Sequence, residues 1–324
     1  MNENPVRLGI LLPTRGLLLG ENRPHDAELV LRMAARAEEG GLDDLWVGDS
    51  LTSKPRLEPL TTLAAVAART RRVRLGTAVL LGALRHPVLL AHIAGTLDIL
   101  SGGRLVLGMG VGGAFNEEQR QEWLAAGVKP SQRARRLEET VEILKRLWAE
   151  EQVSFHGRHF QLDGVHMEPR PLQEKGVPIL LASHLRSGRE EQLRRAARLG
   201  DGFISISETP EEYAQLAQRI RGYAREYGRD PDSLESAQYM TVNLNQDEAR
   251  AKADADRFIR AYYGTNMWEE LWGPFGPPSQ TVERIHAYRR AGAGTIVVRF
   301  ASFDPEGQLD TFLEEVWPAF RATP

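Results

Sequence analysis

Cysteine is absent from the 324-residue chain. Its absence excludes disulfides, catalytic thiolates and cysteine-ligated metals, and it fits a reducing compartment. A basic excess is also missing, since the formal net charge is −3, so nothing favours binding to nucleic-acid phosphates. No apolar run approaches the ~18 residues of a membrane span, and no signal peptide opens the chain. We therefore expect a cytoplasmic protein without a nucleic-acid or membrane partner.

The composition is that of an ordinary globular protein, with 42% apolar and 26% charged residues. Length alone would suggest two domains, but α/β barrels of this size fold as one. We expect a single domain over 1–324.

One structural unit recurs along the chain. An amphipathic helix ends in glycine and a short apolar strand follows, in residues 28–48, 190–207 and 281–300. Short turns of this kind join helices to strands in parallel βαβ units. The glycines occupy positions where a helix needs a left-handed residue just beyond its end, at Gly40, Gly41, Gly200 and Gly292.

Eight apolar strands alternate with helices in the pattern of residues. The strands are predicted near 6–12, 44–48, 73–81, 104–110, 178–182, 202–206, 237–244 and 294–300. The helices are predicted near 25–40, 58–70, 87–101, 131–149, 187–200, 210–228, 246–263, 279–291 and 305–321. Continuous apolar strands indicate a sheet that is buried on both faces. The pattern predicts an α/β fold, a (β/α)8 TIM barrel, with a doubly wound open sheet as the alternative because periodicity does not reveal closure.

Loop lengths identify the functional face. Several strand-to-helix loops are long, at 13–24, 49–57 and 111–130, whereas most helix-to-strand turns are short. In barrels the strand-to-helix loops form the active face. Two segments fall outside the pattern: 153–162 reads as a hairpin, and 264–276 reads as a lid, a subunit contact or a loop packed on the outer helices.

Charged residues follow the second and third predicted strands. Asp49 ends the second strand, where a carboxylate can orient a ring or accept a proton, or can simply brace the loop. Arg85 and His86 precede Pro87 at a predicted helix start. Arg85 can bind an anionic group or brace that helix, and bracing is the stronger reading for His86. Lys54 and Arg56 add positive charge near the same face, although a solvated loop is the default reading for both.

Glycine and hydroxyl residues follow the fourth and fifth predicted strands. The glycines of 108–113 let a flat ring approach the backbone, but they open a long loop and so do not form a dinucleotide fingerprint. Ser187, Gly188 and Arg189 place a hydroxyl, backbone N–H groups and a guanidinium at a helix start, which suits a phosphate. A plain N-cap role for Ser187 is the alternative.

Metal ligands are not indicated. The histidines closest in sequence are His156, His159 and His166, which lie off the predicted active face and lack metal-binding spacing.

These residues together resemble the bacterial luciferase-like monooxygenase superfamily, which includes coenzyme F-420-dependent reductases and dehydrogenases. The strongest blocks are 37–50, 58–113 and 155–171. The resemblance implies a barrel with insertions in its strand-to-helix loops and a coenzyme F-420 or FMN ring across its mouth. It places the ring near Asp49, Gly110, Gly112 and a non-proline cis peptide at Ala78–Val79. It places the phosphate tail near Ser183, Ser187, Gly188 and Arg189.

The chain departs from the family at two positions. Luciferases have a catalytic histidine where this chain has Asp49, and a phosphate-binding arginine at Val111. Sugar-phosphate dehydrogenases of the family have an Asp-His pair at Asp49-Ser50 and a glutamate at Val111. Their acid–base residues are therefore not carried over.

Three functions remain open from the sequence. The first is coenzyme F-420-dependent hydride transfer to or from a small organic substrate, with Asp49 and Arg85 as catalytic residues. The second is FMN-dependent monooxygenation, and the third is cofactor binding without catalysis. A metal-dependent barrel hydrolase is a distant fourth. The helices near 58–70 and 87–101 are apolar around much of their circumference, so we expect a homodimer through them.

Overall fold

The computed structural model describes residues 6–19, 27–206, 208–266 and 273–322. Its strands, in chain order, are β1 (Arg7–Leu11), β2 (Asp44–Val47), β3 (Arg74–Leu80), β4 (Leu105–Met109), β5 (Val153–His156), β6 (Gln161–Val165), β7 (Ile179–Ala182), β8 (Gly202–Ser205), β9 (Glu235–Leu244), β10 (Phe275–Gly276) and β11 (Thr295–Phe300).

Eight of these strands close into a parallel barrel. Around the ring the order is β9, β11, β1, β2, β3, β4, β7 and β8, and pairing between β8 and β9 completes it. The predicted (β/α)8 barrel is confirmed, and the open-sheet alternative is wrong because no edge remains between β8 and β9. All eight predicted strands overlap the observed ones.

Helices surround the barrel and bury their apolar faces against it. They are α1 (Glu28–Glu39), α2 (Pro59–Arg69), α3 (Pro87–Ser101), α4 (Glu117–Ala125), α5 (Arg133–Ala149), α6 (Glu190–Leu199), α7 (Pro210–Glu226), α8 (Glu248–Tyr263), α9 (Pro278–Arg290), α10 (Pro305–Thr311) and α11 (Trp317–Ala322). A π-helical turn, Phe312–Val316, joins the last two helices. None of the described helices is long and apolar enough to cross a membrane.

The predicted left-handed glycines divide into two groups. Gly41 and Gly292 have φ of 93° and 91° as expected. Gly200 has φ of −76°, so the prediction of a left-handed turn there is wrong. A Cβ at Gly200 would lie 2.6 Å from the carbonyl oxygen of Gly202, so glycine is needed there for space. Gly40 likewise has a right-handed φ of −69°.

Ion pairs close the amino end of the barrel. The buried Asp44 carboxylate accepts from Arg7 at 2.7 Å and from Arg74 at 3.1 Å. Arg74 also contacts Glu235 at 2.7 Å. Apolar side chains such as Trp46, together with others from the strands, fill the barrel above this cluster. Solvent therefore reaches the interior from the carboxyl end, where the long loops lie.

The two segments outside the βα pattern have different outcomes. The hairpin predicted at 153–162 is present as the antiparallel pair of β5 and β6. Part of the 264–276 insertion, residues 267–272, lies outside the described residues. Its last part forms β10, which pairs in parallel with β9.

Candidate active site

A cavity of about 200 Å³ opens at the carboxyl end of the barrel. It lies where the loops after β2, β3, β7 and β8 meet, beside the end of α8. Its lining residues are Asp49, Lys54, Arg56, Ala78, Val79, Leu81, Ala182, His184, Ile204, Ser205, Ile206, Tyr239, Tyr262 and Tyr263. The lining therefore combines a group of apolar side chains with a group of cations and phenols.

The apolar wall is formed by the ends of β3, β4 and β7. The peptide bond between Ala78 and Val79 is cis, as the resemblance implies. A Cβ at Gly110 would lie 2.6 Å from Cγ2 of Val79 and 3.4 Å from Cβ of Ala182. Glycine at position 110 thus lets three neighbouring strands meet in an apolar surface, of the kind on which a planar ring can lie.

Asp49 and Arg85 form a buried ion pair beside this wall. The Asp49 side chain is 2% exposed, and its Oδ2 lies 2.6 Å from Nη1 of Arg85. The same oxygen accepts the Leu81 N–H at 2.9 Å. Arg85 also contacts the Glu58 carboxylate at 3.0 Å, at the start of α2. The pair therefore ties the end of β2 to the turn after β3.

Lys54 and Arg56 face the cavity from the loop after β2. The Lys54 Nζ lies 4.4 Å above the centre of the Tyr263 ring. Burial and the charges of Arg15, Arg56 and Arg299 lower the pKa of Lys54 to about 8. Four cations, Lys54, Arg15, Arg56 and Arg299, are thus near one another at this side of the cavity, and such a concentration of positive charge favours an anionic ligand.

A buried arginine stands behind the phenols. Arg299 on β11 donates to the hydroxyls of Tyr263 at 2.7 Å and Thr241 at 2.9 Å. Burial alone would raise the pKa of Tyr262, but the charges of Arg56 and Arg299 hold it below its ordinary value. The phenol that borders the cavity is therefore more acidic than a free tyrosine.

Glu122 holds the loop that carries these cations. This residue lies on α4, within the 111–130 segment, for which the sequence predicted only a loop. Its carboxylate accepts the hydroxyl of Ser50 at 2.6 Å and the backbone N–H groups of Leu51 and Thr52 at 2.6 and 2.9 Å. Burial opposes ionisation, but these hydrogen bonds lower the pKa of Glu122. The side chain is 3% exposed, so it acts as a buried anchor.

His184 enters the cavity from the end of β7. Its Nδ1 lies 3.3 Å from Oγ of Ser205 and 3.8 Å from Oε2 of Glu208. The Ser205 hydroxyl donates to that same Oε2. The Glu208 side chain has no solvent exposure, whereas His184 is 29% exposed. A partly exposed imidazole with a buried carboxylate behind it is suited to proton transfer.

The turn that follows His184 contains the predicted phosphate residues. Ser187 donates its hydroxyl to the carbonyl of His184 at 2.7 Å, and the Arg189 N–H donates to Oγ of Ser187 at 3.2 Å. Gly188 is left-handed, with φ of 63°. The helix predicted from 187 begins at Glu190, because a 3-10 turn over Leu185–Ser187 precedes it. Ser187 is therefore not the N-cap of α6.

Arg133 adds a second cation beside this turn. Burial and the neighbouring charge of Arg189 lower its pKa. Its Nε donates to the carbonyl of Gly112 at 3.3 Å. The glycine-rich loop after β4 and the turn after β7 thus meet around two guanidinium groups, which is a setting for phosphate.

Of the predicted site residues, only Asp49, Ala78 and Val79 line the cavity among the described residues, whereas Arg85, Gly110, Ser187, Gly188 and Arg189 lie outside its lining. Ser183 and Gly112 also lie outside it. Ser183 is fully buried, and its hydroxyl donates to the carbonyl of Leu181 at 3.3 Å. Gly112 has φ of 73°, and a Cβ there would lie 2.9 Å from the Trp123 ring. Both shape the loops, and neither side chain lines the cavity.

Several cavity residues were not among the predicted site residues. For Lys54 and Arg56 the sequence predicts only loop charge, and its patterns do not point to His184, Tyr262 or Tyr263. The signal for His184 was its position just after a barrel strand, as for Asp49. Its partner Glu208 lies 24 positions further along, where a sequence pattern gives no indication of contact. Among the described residues, no group of three histidines or carboxylates is placed to hold a metal ion.

Comparisons with known proteins agree on one family. Residues 6–271 match the family model described as luciferase-like monooxygenase. The chain is 31% identical to F-420-dependent glucose-6-phosphate dehydrogenase of Nakamurella multipartita, covering 90% of this chain and 91% of that protein. Monooxygenase RslO1 from Streptomyces bottropensis superposes with a TM-score of 0.80 at 25% identity, covering 97% of this chain and 99% of that one. An F-420-dependent secondary alcohol dehydrogenase, solved with an F-420–acetone adduct, also gives a TM-score of 0.80, at 21% identity over 98% of this chain and 99% of that one.

Proposed function

This chain belongs to the luciferase-like monooxygenase family, and from that premise we propose that it is a coenzyme F-420-dependent oxidoreductase. It moves a hydride to or from a small organic substrate that carries a hydroxyl or carbonyl group. The observation that carries the proposal is the cavity at the carboxyl end of the barrel, whose lining combines apolar side chains with charged and phenolic ones. The dehydrogenase from Nakamurella multipartita, 31% identical over 90% of this chain, supports the deazaflavin over FMN.

The residues present fit a deazaflavin. Ala78, Val79 and Ala182 offer an apolar surface for its ring, and Gly110 behind them leaves room for their close packing. Arg133 and Arg189 offer two guanidinium groups for its phosphate tail. When bound, the cofactor supplies the two-electron hydride chemistry. The protein holds both reactants in one geometry and excludes water from the apolar side.

The substrate is proposed to carry an anionic group. Lys54 and Arg56 face the cavity, with Arg15 and Arg299 nearby. A phosphate or carboxylate would gain charge-assisted hydrogen bonds from Lys54 and Arg56, two cations that line the cavity. The relative named for glucose 6-phosphate supports an anion of this kind.

The sequence predicts a catalytic role for Asp49 and Arg85, and we retain only the part of that role that concerns positioning. Both Asp49 oxygens accept hydrogen bonds from Arg85, and one also accepts the Leu81 N–H. A carboxylate engaged in this way is suited to positioning the wall rather than to relaying protons. We assign both residues to holding the turn after β3 against the cofactor ring.

Fluorescence titration tests the cofactor assignment. Purified protein is titrated with coenzyme F-420 and separately with FMN, and quenching gives each dissociation constant. We expect F-420 to bind at least about tenfold more tightly, and Arg189→Gln to weaken it by about tenfold through loss of a charged phosphate contact. Arg194→Gln is the control, because Arg194 pairs with Glu226 on the outer face of α6. FMN binding without F-420 binding would overturn the proposal.

FMN-dependent monooxygenation is the second candidate. The 25% identity to monooxygenase RslO1 over almost the whole chain favours it. Oxygen uptake by protein loaded with reduced FMN would support this candidate. Hydride exchange with F-420 and no oxygen uptake would reject it.

We also propose that the chain forms a homodimer through α2 and α3. Leu89, Ile93 and Leu100 of α3 are large apolar side chains that are 57%, 38% and 63% exposed. On α2, Ala65 and Ala68 are exposed and small, so a partner helix can approach closely. A second copy of the chain is the proposed occupant of this face. The cytoplasmic location stays a prediction from the sequence.

A further inference from the structure

His184 has a buried carboxylate directly behind it and the cavity in front. We propose that His184 is the acid–base residue of the reaction, with Glu208 as its positioning residue and Ser205 as the bridge between them. The inference rests on the proposed function, because it assigns the proton that must move when a hydride moves. It fills a role for which the family's usual positions, Asp49-Ser50 and Val111, offer no histidine and no glutamate.

Hydrogen-bond directions fix which imidazole nitrogen faces the substrate. The Ser205 hydroxyl donates its hydrogen to Oε2 of Glu208, so its oxygen accepts from Nδ1–H of His184 at 3.3 Å. The other oxygen of Glu208 accepts the Leu185 N–H at 2.8 Å. Nδ1 therefore carries the hydrogen of the neutral ring. Nε2, on the opposite side of the ring, keeps a lone pair for a substrate hydroxyl.

Glu208 remains ionised behind the ring. Burial alone would raise the pKa of this carboxyl, but the hydrogen bonds from His184, Ser205 and the Leu185 N–H hold it below its ordinary value. The Tyr288 hydroxyl donates to the Glu208 carbonyl at 2.6 Å and fixes the backbone of the residue. A fixed anion at this position stabilises the imidazolium that forms when Nε2 takes a proton.

One proton is exchanged between the substrate and His184 for each hydride that the substrate loses or gains. In the oxidative direction the substrate would lose a C–H hydrogen together with its electron pair as a hydride, for which oxidised deazaflavin, when bound, would supply the acceptor. The substrate O–H bond breaks, its proton passes to Nε2 of His184, and a C=O bond forms. In the reductive direction the imidazolium returns the proton to the carbonyl oxygen as the hydride arrives at carbon.

Other charged or titratable groups face the same cavity. Asp49 is engaged by Arg85, and Lys54 titrates near pH 8. The remaining groups around the ring are Arg56, Tyr239, Tyr262 and Tyr263 in the cavity, and the Arg186–Glu212 pair outside it. Several of these groups can affect the pH–rate profile. We therefore assign to His184 only the part of the profile that is lost when His184 is substituted.

Kinetics with coenzyme F-420 and glucose 6-phosphate as the probe substrate give the first test. We expect the rate of oxidation in the wild type to fall on the acid side, because a general base must be free of its proton to accept one. His184→Gln should lose that acid limb and lower kcat by about 100-fold or more, with KM and the quenching constant for F-420 within about threefold. Glu208→Gln should lower kcat less, and Glu208→Asp should recover part of the loss. His286→Gln, whose ring packs on Phe320 away from the cavity, is the control.

If that probe is not turned over, reduction by F-420 of small carbonyl compounds provides the same profile. Full kcat and an unchanged pH profile in His184→Gln overturn the inference. Loss of F-420 binding in the same variant also overturns it, because His184 would then hold the cofactor.

Nitrogen NMR of the cofactor-free protein gives a second test that does not depend on turnover. With 15N-labelled histidine, the signals of His184 are identified by their loss in His184→Gln. We expect the Nδ1–H tautomer in the wild type at pH 8, and a shift towards Nε2–H in Glu208→Gln. The Nε2–H tautomer in the wild type would contradict the assignment even if Glu208→Gln fails to fold.

The two tests separate this inference from the proposed function. A protein that neither binds F-420 nor exchanges a hydride with any substrate sinks the proposed function, whereas the tautomer still reports on the His184–Glu208 pair. A protein that transfers hydride with undiminished rate after His184→Gln sinks the inference alone.

Discussion

At the scale of single residues, Lys54 combines a perturbed pKa with a position in the cavity. Its pKa of about 8 arises from burial among three arginines. Lys54 therefore carries its charge below pH 8 and loses it as the pH rises through that value, and a bound anion moves this transition upward. Anion affinity should decrease in the same pH range.

Sulfate binding measures this dependence, because the charge of sulfate is constant between pH 6 and 10. In an Arg189→Gln background, which removes the phosphate turn, we expect sulfate affinity to fall by about tenfold between pH 7 and 9.5. Adding Lys54→Met should weaken binding at pH 7 and flatten the profile. Adding Lys252→Met, which removes an exposed lysine paired with Glu248, should leave the profile unchanged. Equal profiles with and without Lys54 would count against its role.

Asp49 provides a second prediction at the residue scale. In the part of the chain that the structure describes, Asp49→Asn leaves the Arg85 guanidinium with the half-exposed Glu58 as its ionic partner. We expect a loss of about 2 kcal/mol in the free energy of unfolding, below the ~3–5 kcal/mol of a fully buried broken pair. Urea unfolding measures it. Asp310→Asn removes an exposed partner of Arg36 and should cost less than about 1 kcal/mol.

At the scale of elements, α4 connects two loops of the active face. Glu122→Gln removes the negative charge that accepts hydrogen bonds from residues 50–53. We expect the protein to lose about 1–3 kcal/mol of stability, and the amides of residues 51–53 to exchange hydrogen faster. Mass spectrometry of hydrogen exchange measures the second effect. Glu117→Gln on the exposed side of α4 is the control, and equal exchange in the two variants would contradict an anchoring role.

The ionisation of Glu122 sets the sign of a pH effect on the same element. Its pKa is lower in the folded protein than in the unfolded chain. The stabilisation it contributes is therefore present above the unfolded pKa and is lost as the pH falls through the folded pKa.

The elements that the sequence predicts are those with a strong apolar pattern. Strands such as β4 and β11 are buried on both faces, and the continuous run of mainly apolar residues in each predicts this burial from the sequence. Helix α4 was missed because its sequence, EEQRQEWLA, is polar except for its last three residues. Asn116, which accepts the Gln119 N–H and caps this helix, was the available signal.

The candidate site was predictable in location but not in composition. Loop lengths place it at the carboxyl ends of the strands, and Asp49 lies there as predicted. The contacts of His184 with Ser205 and Glu208 depend on β7 and β8 lying side by side in register, which apolar periodicity does not specify. The charge of Lys54 and Arg56 becomes significant only when Arg299, far along the chain, packs behind the same phenols.

At the scale of the whole molecule, the exposed face of α3 carries the prediction of a dimer. We expect light scattering at micromolar concentration to report twice the chain mass of 36.2 kDa. Ile93→Glu should shift the protein to a monomer, because a charge at the centre of an apolar interface is costly to bury. Leu124→Glu, at an exposed apolar position on α4, should leave the dimer intact. A monomeric wild type would remove the proposal.

The ion pairs of Asp44 with Arg7 and Arg74 have a consequence for the sequence of events in turnover. They close the amino end of the barrel, so reactants enter and leave through the opening at the carboxyl end. The apolar wall lies deeper in that opening than the loop that carries Lys54 and Arg56. In a cavity with one opening, the molecule that binds last lies nearest the solvent and must leave before the molecule behind it can leave. Steady-state kinetics should accordingly be ordered, with the cofactor binding before the substrate and the product released before the cofactor.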